Sequence, residues 1–339
     1  MRSVVYSATG DSSVLQLSDR STPEPGPGDV RVRLVVAGVN PTDWKARSGL
    51  TGPTALAFDE VTPGQDGAGV VDAVGEGVTE VAVGDRVWVF LAQHDRPGGT
   101  AADYTLQPAS RVVRLPEAAS YDVGASLGVP AMTAHRALTV HEDGPDRLAP
   151  GALAGRVVLV TGGAGAVGHA AIQLARWAGG TVVTTVSSDA KGRLAAAAGA
   201  DHVVDYTRGD PAAAIRQIAP DGVDLAVEVA LIQNVDLLAR VLKTRGSVAA
   251  YANTGGTEAT LPFRGFMTLN ARIQFVLLYT VGEAALRAAA EDVTTAAADG
   301  VLGVGEDHGL PLTRFPLAET AAAHDAVEAG TVGKVLIDL

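Results

Sequence analysis

Three glycines, Gly163, Gly165 and Gly168, stand at the G-x-G-x-x-G spacing. The chemistry that this spacing serves is the holding of a pyrophosphate. The first glycine is expected to permit a tight turn and the second to let the backbone approach phosphate oxygens. The third is expected to let a helix pack close to a strand. The helix N-terminus then offers N–H groups and the positive end of its dipole to the anion. A second set of candidates lies about 20 residues further on, where an NAD-binding unit usually carries Asp or Glu for the ribose hydroxyls. This chain has Ser187 and Ser188 there, with Asp189 slightly late and Lys191 and Arg193 following. Small hydroxyls and cations suit a 2′-phosphate, which a carboxylate would repel. These residues favour NADPH over NADH. Their other reading is a helix start, with Ser188 or Asp189 as N-cap and the two cations merely solvated, and both readings can hold together. Tyr206 either covers the adenine, touches the phosphate, or is an ordinary surface tyrosine.

The elements that must position these residues are legible around them. A β-branched run at 157–161 reads as a buried strand leading straight into the glycines, and an amphipathic stretch follows at 167–178. Strands and helices then alternate: 181–186, 190–198, 202–204, 211–218, 223–229, 234–242 and 247–251. Such alternation implies a doubly wound parallel sheet. A further apolar strand is expected at 272–278, on the sheet edge, with a helix at 284–299 and a closing strand at 333–339. The first 125 residues are rich in Gly, Pro and short β-type runs, at 30–36, 69–73, 86–90 and 103–106. Gly28-Asp29 and Gly84-Asp85 supply turns. A twisted, partly closed β-domain is the expected result.

Composition bounds the function. The chain has 339 residues, enough for two domains, and 47% of them are hydrophobic. A net charge of −12 argues against a nucleic-acid surface. No apolar run approaches the roughly 20 residues needed to cross a bilayer, and the first residues lack a signal-peptide core. A cytoplasmic protein without a membrane partner is the expectation. There are no cysteines, which excludes disulfides, thiolate catalysis and Cys-based zinc sites. The seven histidines are scattered without ligand spacing and read as surface or packing residues.

With these features in place, the chain resembles the medium-chain dehydrogenase/reductase superfamily. Within it, the chain is most similar to the zinc-free quinone oxidoreductase branch, the zeta-crystallin-like enzymes. The landmarks run through the whole length: Gly38-Val39-Asn40-Pro41-Thr42-Asp43, Pro63-Gly64-Gln65-Asp66-Gly67-Ala68-Gly69, Val83-Gly84-Asp85-Arg86-Val87, Pro130-Ala131-Met132-Thr133-Ala134, the glycine fingerprint, Gly199-Ala200-Asp201, and Gly330-Thr331-Val332-Gly333-Lys334-Val335. Zinc alcohol dehydrogenases of the superfamily carry Cys where this chain has Asn40, and His-Glu where it has Gln65-Asp66. Their four-Cys lobe has no counterpart here. Amides are poor substitutes for thiolate and imidazole, so no metal is expected.

The resemblance implies an α/β fold, with a GroES-like twisted β-domain at 1–125 and 280–339 and an NADPH-binding Rossmann domain at 126–279. It implies Asn40 and Thr133 near the nicotinamide and Gly165, Ala166 and Val167 around the pyrophosphate. Ser187, Lys191 and Tyr206 would hold the 2′-phosphate, Asn253 would pass the nicotinamide ribose, and Lys334 would approach the cofactor from the other domain. The bland alternatives are a turn cap for Asn40, an N-cap for Thr133 and a solvated Lys334. Two tyrosines of bacterial quinone reductases would fall at Lys45 and Thr51, so that aromatic wall is missing. The segment Ala230-Leu231-Ile232-Gln233 lacks the usual glycines.

The activity implied is hydride transfer from NADPH to a quinone or related electron-poor carbonyl compound held in an interdomain cleft. The rival is reduction of an activated C=C bond in an enone or enoyl thioester, as in stand-alone enoyl reductases of polyketide pathways, with Lys45 donating a proton or anchoring an oxygen. In the bland reading Lys45 snorkels outward and Trp44 is core. A non-catalytic NADPH-binding protein is the third reading. Relatives dimerise through the 272–278 edge, so a homodimer is expected.

Overall fold

The computed structural model describes residues 1–50 and 56–339. Thr51 lies outside the described residues. The chain divides into two units, Met1–Pro130 with Pro311–Leu339, and Ala131–Leu310.

The first unit opens with the hairpin β1 (Arg2–Val5) and β2 (Gln16–Asp19), then β3 (Asp29–Val39) and helix α1 (Pro41–Arg47). It continues with β4 (Asp66–Val74), β5 (Arg86–Val89), β6 (Tyr104–Pro108), β7 (Val112–Arg114) and α2 (Tyr121–Ser126). In β3 every second side chain up to Val36 is buried, the period-2 pattern of a sheet with one covered face. Proline at the first position of α1 presets its helical φ. A π-helical turn, Leu127–Ala131, leads out of this unit.

The second unit begins with α3 (Met132–Leu138). There follow β8 (Val157–Thr161), α4 (Ala166–Trp177), β9 (Thr181–Val186), α5 (Asp189–Ala197), β10 (His202–Asp205) and α6 (Pro211–Ile218). Then come β11 (Val223–Glu228), α7 (Leu231–Val241), β12 (Leu242–Ala250), α8 (Phe263–Thr268), β13 (Arg272–Phe275) and α9 (Glu283–Ala298). The six strands are all parallel, in the order β10-β9-β8-β11-β12-β13. This is a doubly wound sheet with its order reversing between β8 and β11. Its strands are buried on both faces, and β11 is buried throughout. Leu159, Ile215, Leu238 and Val248 are among its core side chains, each contributing about 1.5–3 kcal/mol by burial. Caps set the helix starts: Ser188 for α5 and Asp210 for α6, the latter accepting from Ala212 and Ala213 N–H.

The chain then returns to the first unit with β14 (Leu312–Pro316), α10 (Thr320–Glu328) and β15 (Lys334–Asp338). Its sheet runs β14-β15-β3-β4-β5-β7, with β6 also pairing with β3.

Three expectations change. The chain rejoins the first unit at residue 311, not 280, because α9 packs on α3 and α4 in the second unit through Leu286, Ala289, Val293 and their neighbours. The first unit likewise runs to residue 130, not 125. The strand expected at 272–278 ends at Phe275 and gives way to a 3-10 turn, Leu278–Thr280, but it does form the sheet edge.

Candidate active site

The glycine turn sits at the carboxyl end of β8, beside the point where strand order reverses. Ligands of open α/β sheets bind there. Thr161 Oγ1 latches β8 to β11, donating to Val227 O (3.3 Å) and accepting from Val229 N–H (3.0 Å). The tight turn belongs to Gly162, at φ +69°, and not to Gly163 as the motif suggests. Gly163 is required for packing instead: a Cβ there would stand 2.2 Å from Thr184 Oγ1. Gly168 lets α4 approach the turn, since a Cβ would stand 2.4 Å from Gly162 O. Gly165 is the N-cap residue of α4, and a Cβ on it would meet only Gly162 O, at 3.4 Å. Its Cα face is open, as the approach of a ligand requires. Ala166 and Val167 follow as the first two residues of α4.

At the end of β9, Lys191 Nζ donates to Ser187 Oγ at 3.2 Å. Ser188 Oγ caps α5 by accepting from Lys191 N–H at 3.3 Å, so the helix-start reading of Ser188 holds. Asp189 turns instead to Arg208, whose Nη2 donates to it at 2.8 Å. Tyr206 is exposed. At the end of β11, buried Glu228 accepts from Ala230 N–H and from Asn234 Nδ2. Burial pushes its carboxyl above the usual range. Sequence reasoning missed this residue, although a Glu inside an apolar strand was a visible signal. Asn253 lies past β12 in an isolated bridge with Ala230 and is exposed.

Thr133 is buried inside α3 and does not cap it, because Ala131 precedes the helix. Nearby, His135 Nε2 meets Asp292 at 2.8 Å, tying α3 to α9, and Arg147 and Leu148 N–H complete the shell of Asp292. His141 bonds Ser247, and His169 bonds His308 O. These histidines serve packing.

The first unit holds a buried polar cluster. Asn40, between β3 and α1, donates from Nδ2 to Asp66 Oδ2 at 2.7 Å. Its Oδ1 accepts from Lys334 Nζ at 2.6 Å, and Lys334 also donates to Val39 O at 3.2 Å. Asp66 is further held by Val129 N–H, at 2.9 and 3.0 Å to its two oxygens. Asp43 Oδ2 accepts from Asn40 N–H at 2.7 Å. Burial raises both carboxyls, Asp43 also through the charge of Asp66, and lowers the Lys334 ammonium against the pull of Asp66 and Asp43. Lys334 is 2% exposed, so it is not a solvated side chain. Asn40 does begin α1, as a cap residue does, but its amide is engaged elsewhere. Lys45 is half-buried, with its Nζ 5.9 Å from the Trp44 ring centroid.

The donors present do not fit a zinc ion. Asn40 Oδ1 faces an ammonium, and both ends of the Gln65 amide pair with Gln93 at 3.2 Å. Among the described residues no group of three or more His, Asp or Glu is gathered to hold a metal. Asp43 and Asp66 were noted in the sequence only as landmarks. Nothing local marks them as partners of Lys334.

Residues 26–117 match the alcohol dehydrogenase GroES-like domain family, and residues 166–295 match the zinc-binding dehydrogenase family. The quinone oxidoreductase of Rattus norvegicus is 31% identical over 346 residues, covering 99% of this chain and 97% of that one. A 2-haloacrylate reductase of a Burkholderia species is 30% identical, covering 92% and 91%. Among solved structures, an NAD-dependent alcohol dehydrogenase superposes with a TM-score of 0.86 at 28% identity. A mycobacterial protein complexed with NADPH superposes with a TM-score of 0.81, also at 28% identity. Both cover 100% of each chain. Similarity over nearly the full length to a quinone oxidoreductase, at 31% identity, on this two-unit fold and with donors that do not suit zinc, establishes that the chain belongs to the zinc-free quinone oxidoreductase branch of the medium-chain dehydrogenase/reductase superfamily, whose members are nicotinamide-dependent oxidoreductases.

Proposed function

We propose that this chain is an NADPH-dependent reductase of quinones or related electron-poor carbonyl compounds. The observation that carries the cofactor choice is the pairing of Lys191 Nζ with Ser187 Oγ at the end of β9, where a carboxylate would otherwise select NADH. The cation and hydroxyl suit a 2′-phosphate, with Tyr206 beside them. Gly165, Ala166 and Val167 would hold the pyrophosphate on the α4 N-terminus, and Asn253 the nicotinamide ribose. Asn40 and Thr133 would meet the nicotinamide. A bound nicotinamide dinucleotide supplies the hydride. The protein supplies positioning and exclusion of water. A reduced quinone is a stabilised anion that takes its proton from water, which suits a site where, among the described residues, no nucleophile–base pair stands.

The second reading is reduction of an activated C=C bond, favoured by the likeness to a 2-haloacrylate reductase, whose named substrate is an electron-poor alkene. That reaction needs a proton at the α-carbon, and Lys45 is the candidate donor or oxygen anchor. The exposed β13 edge supports a homodimer.

The test follows NADPH oxidation with a para-quinone and a 2-haloacrylate side by side, and with NADH in parallel. Turnover of the quinone with NADPH is expected. Turnover of the haloacrylate alone would establish the C=C reading, and a preference for NADH would overturn the cofactor assignment. In Lys191→Ala the preference for NADPH should fall about 10- to 100-fold, the loss of one charge-assisted hydrogen bond.

A further inference from the structure

The end of β9 carries a carboxylate after all. Asp189, the first residue of α5, stands two positions past Ser187 and one past the Ser188 cap. A carboxylate at this strand end ordinarily serves a ribose with free hydroxyls, and its charge repels a 2′-phosphate. Its place beside the Lys191–Ser187 pair conflicts with an NADPH site unless that charge is taken up elsewhere.

Arg208 takes it up. Its Nη2 donates to Asp189 Oδ2 at 2.8 Å, and its Nε stands 3.2 Å from Asp205 Oδ2, so one guanidinium spans two carboxylates. Strand register brings the second of these to the same place. Asp205 lies opposite Val186 in the parallel pair of β10 and β9, Tyr206 N–H donates to Val186 O at 3.0 Å, and Ser187 is the next residue. The turn that presents Arg208 is firmly held. Asp205 Oδ1 accepts from Thr207 N–H at 2.9 Å and from Thr207 Oγ1 at 2.6 Å, and Arg208 N–H donates to Asp205 O at 3.1 Å. The Arg208 and Asp189 side chains are 65% and 66% exposed, so their pairing adds little to stability. An exposed charge pair at a strand end acts on what binds beside it.

We infer that Arg208 is a specificity-determining residue, which neutralises Asp189 so that the end of β9 accepts a 2′-phosphate in place of a ribose hydroxyl. This rests on the NADPH reading above. A phosphate monoester carries a charge of about −1.5 to −2 at neutral pH, and a free hydroxyl carries none. An unmasked carboxylate beside it therefore penalises NADPH and offers NADH a hydrogen-bond acceptor. Lys191 supplies the attraction for the phosphate, and Arg208 removes the repulsion.

The test measures the dissociation constants of NADPH and NADH by titration calorimetry, without any acceptor. It compares wild type, Arg208→Gln, Asp189→Asn and the double variant. In Arg208→Gln the ratio of NADPH to NADH affinity should fall about three- to tenfold, through the loss of NADPH binding. In the Asp189→Asn background the same substitution should change the ratio by about twofold or less, since the carboxylate to be masked is gone. An unchanged ratio in Arg208→Gln would overturn the inference, whether neither cofactor loses affinity or both lose it equally, as a merely structural role would have it. An equal fall in the two backgrounds would also overturn it and make Arg208 a ligand of the phosphate itself. The cofactor reading is judged separately. A wild-type protein that binds NADH more tightly than NADPH ends that reading, and the fall of the ratio in Arg208→Gln, with its disappearance beside Asp189→Asn, still decides the masking.

Discussion

Lys334 Nζ and Asn40 Oδ1 stand 2.6 Å apart although 294 positions separate them in the chain. The sheet register explains the meeting. β15 runs antiparallel to β3 with Val335 opposite Val39, so Lys334, one residue before, and Asn40, one residue after, fall opposite each other at the same end. Asp66 reaches the same place because it opens β4 opposite Gly38.

Gly128→Ala tests how tightly this arrangement is built. Gly128 does not have a positive φ, so the strain on an alanine comes from its contact with the Asp66 carboxyl group, Oδ1 at 2.1 Å and Cγ at 2.6 Å. Overpacking of this kind costs about 1–3 kcal/mol. Thermal unfolding should show Tm lower by several degrees. An unchanged Tm would mean that Asp66 can move aside without loss.

The glycine turn separates fold from binding. Gly163→Ala drives a Cβ into Thr184 Oγ1 and Ile172 Cδ1, both buried, so it should lower stability by about 1–3 kcal/mol. Gly165→Ala adds a methyl on the open side at φ −86°, which any residue adopts. Its Tm should match wild type, while NADPH affinity should fall about tenfold or more as the backbone is held away from the pyrophosphate. Comparing Tm and dissociation constant for the two variants checks this. Equal affinity in Gly165→Ala would place the pyrophosphate elsewhere.

Two buried histidines should make the protein acid-sensitive. Burial lowers His169 and His324 from 6.5 to about 4, which favours their neutral forms in the folded chain. Their contribution to stability is therefore complete above the ordinary value and is lost as pH falls from 6.5 towards 4. Each should withdraw about 2 kcal/mol between about pH 7.5 and pH 5. Urea unfolding at the two pH values should show the loss, and His324→Leu should shrink the pH difference. An equal difference in that variant would remove His324 from the account.

The nucleotide-binding unit was legible because local signals and tertiary structure agree there. The helix expected at 211–218 forms over those residues, since Asp210 caps it and Pro211 presets its first turn. The tight turn expected at Gly163 falls one residue earlier, at Gly162, because the two glycines are adjacent and only packing against Thr184 distinguishes them. The boundary at 311 was hidden because an amphipathic α9 can cover either unit, and its apolar face does not say which. The cluster around Asn40 was the least legible part. Its members lie just past the end of β3 and at the starts of β4 and β15, and they meet only through strand register, which no local pattern encodes.

The edge of the parallel sheet gives the last prediction. Among the described residues β13 pairs with β12 on one side only, leaving its other edge without a strand partner. On it and just after it stand Phe275, 71% exposed, and Leu277, 54% exposed. Such a concentration of apolar surface beside an open edge marks an interaction site more often than a solvated face. A second copy of the same strand would satisfy the edge and cover these side chains, each worth about 1.5–3 kcal/mol when buried. Sedimentation at micromolar concentration should therefore show a dimer. Phe275→Lys puts a charge on the edge, the device by which natural sheets refuse pairing, and should give a monomer with the fold intact by circular dichroism. A wild-type monomer at that concentration would show that the edge stays open, and a dimer that survives Phe275→Lys would move the interface to another face.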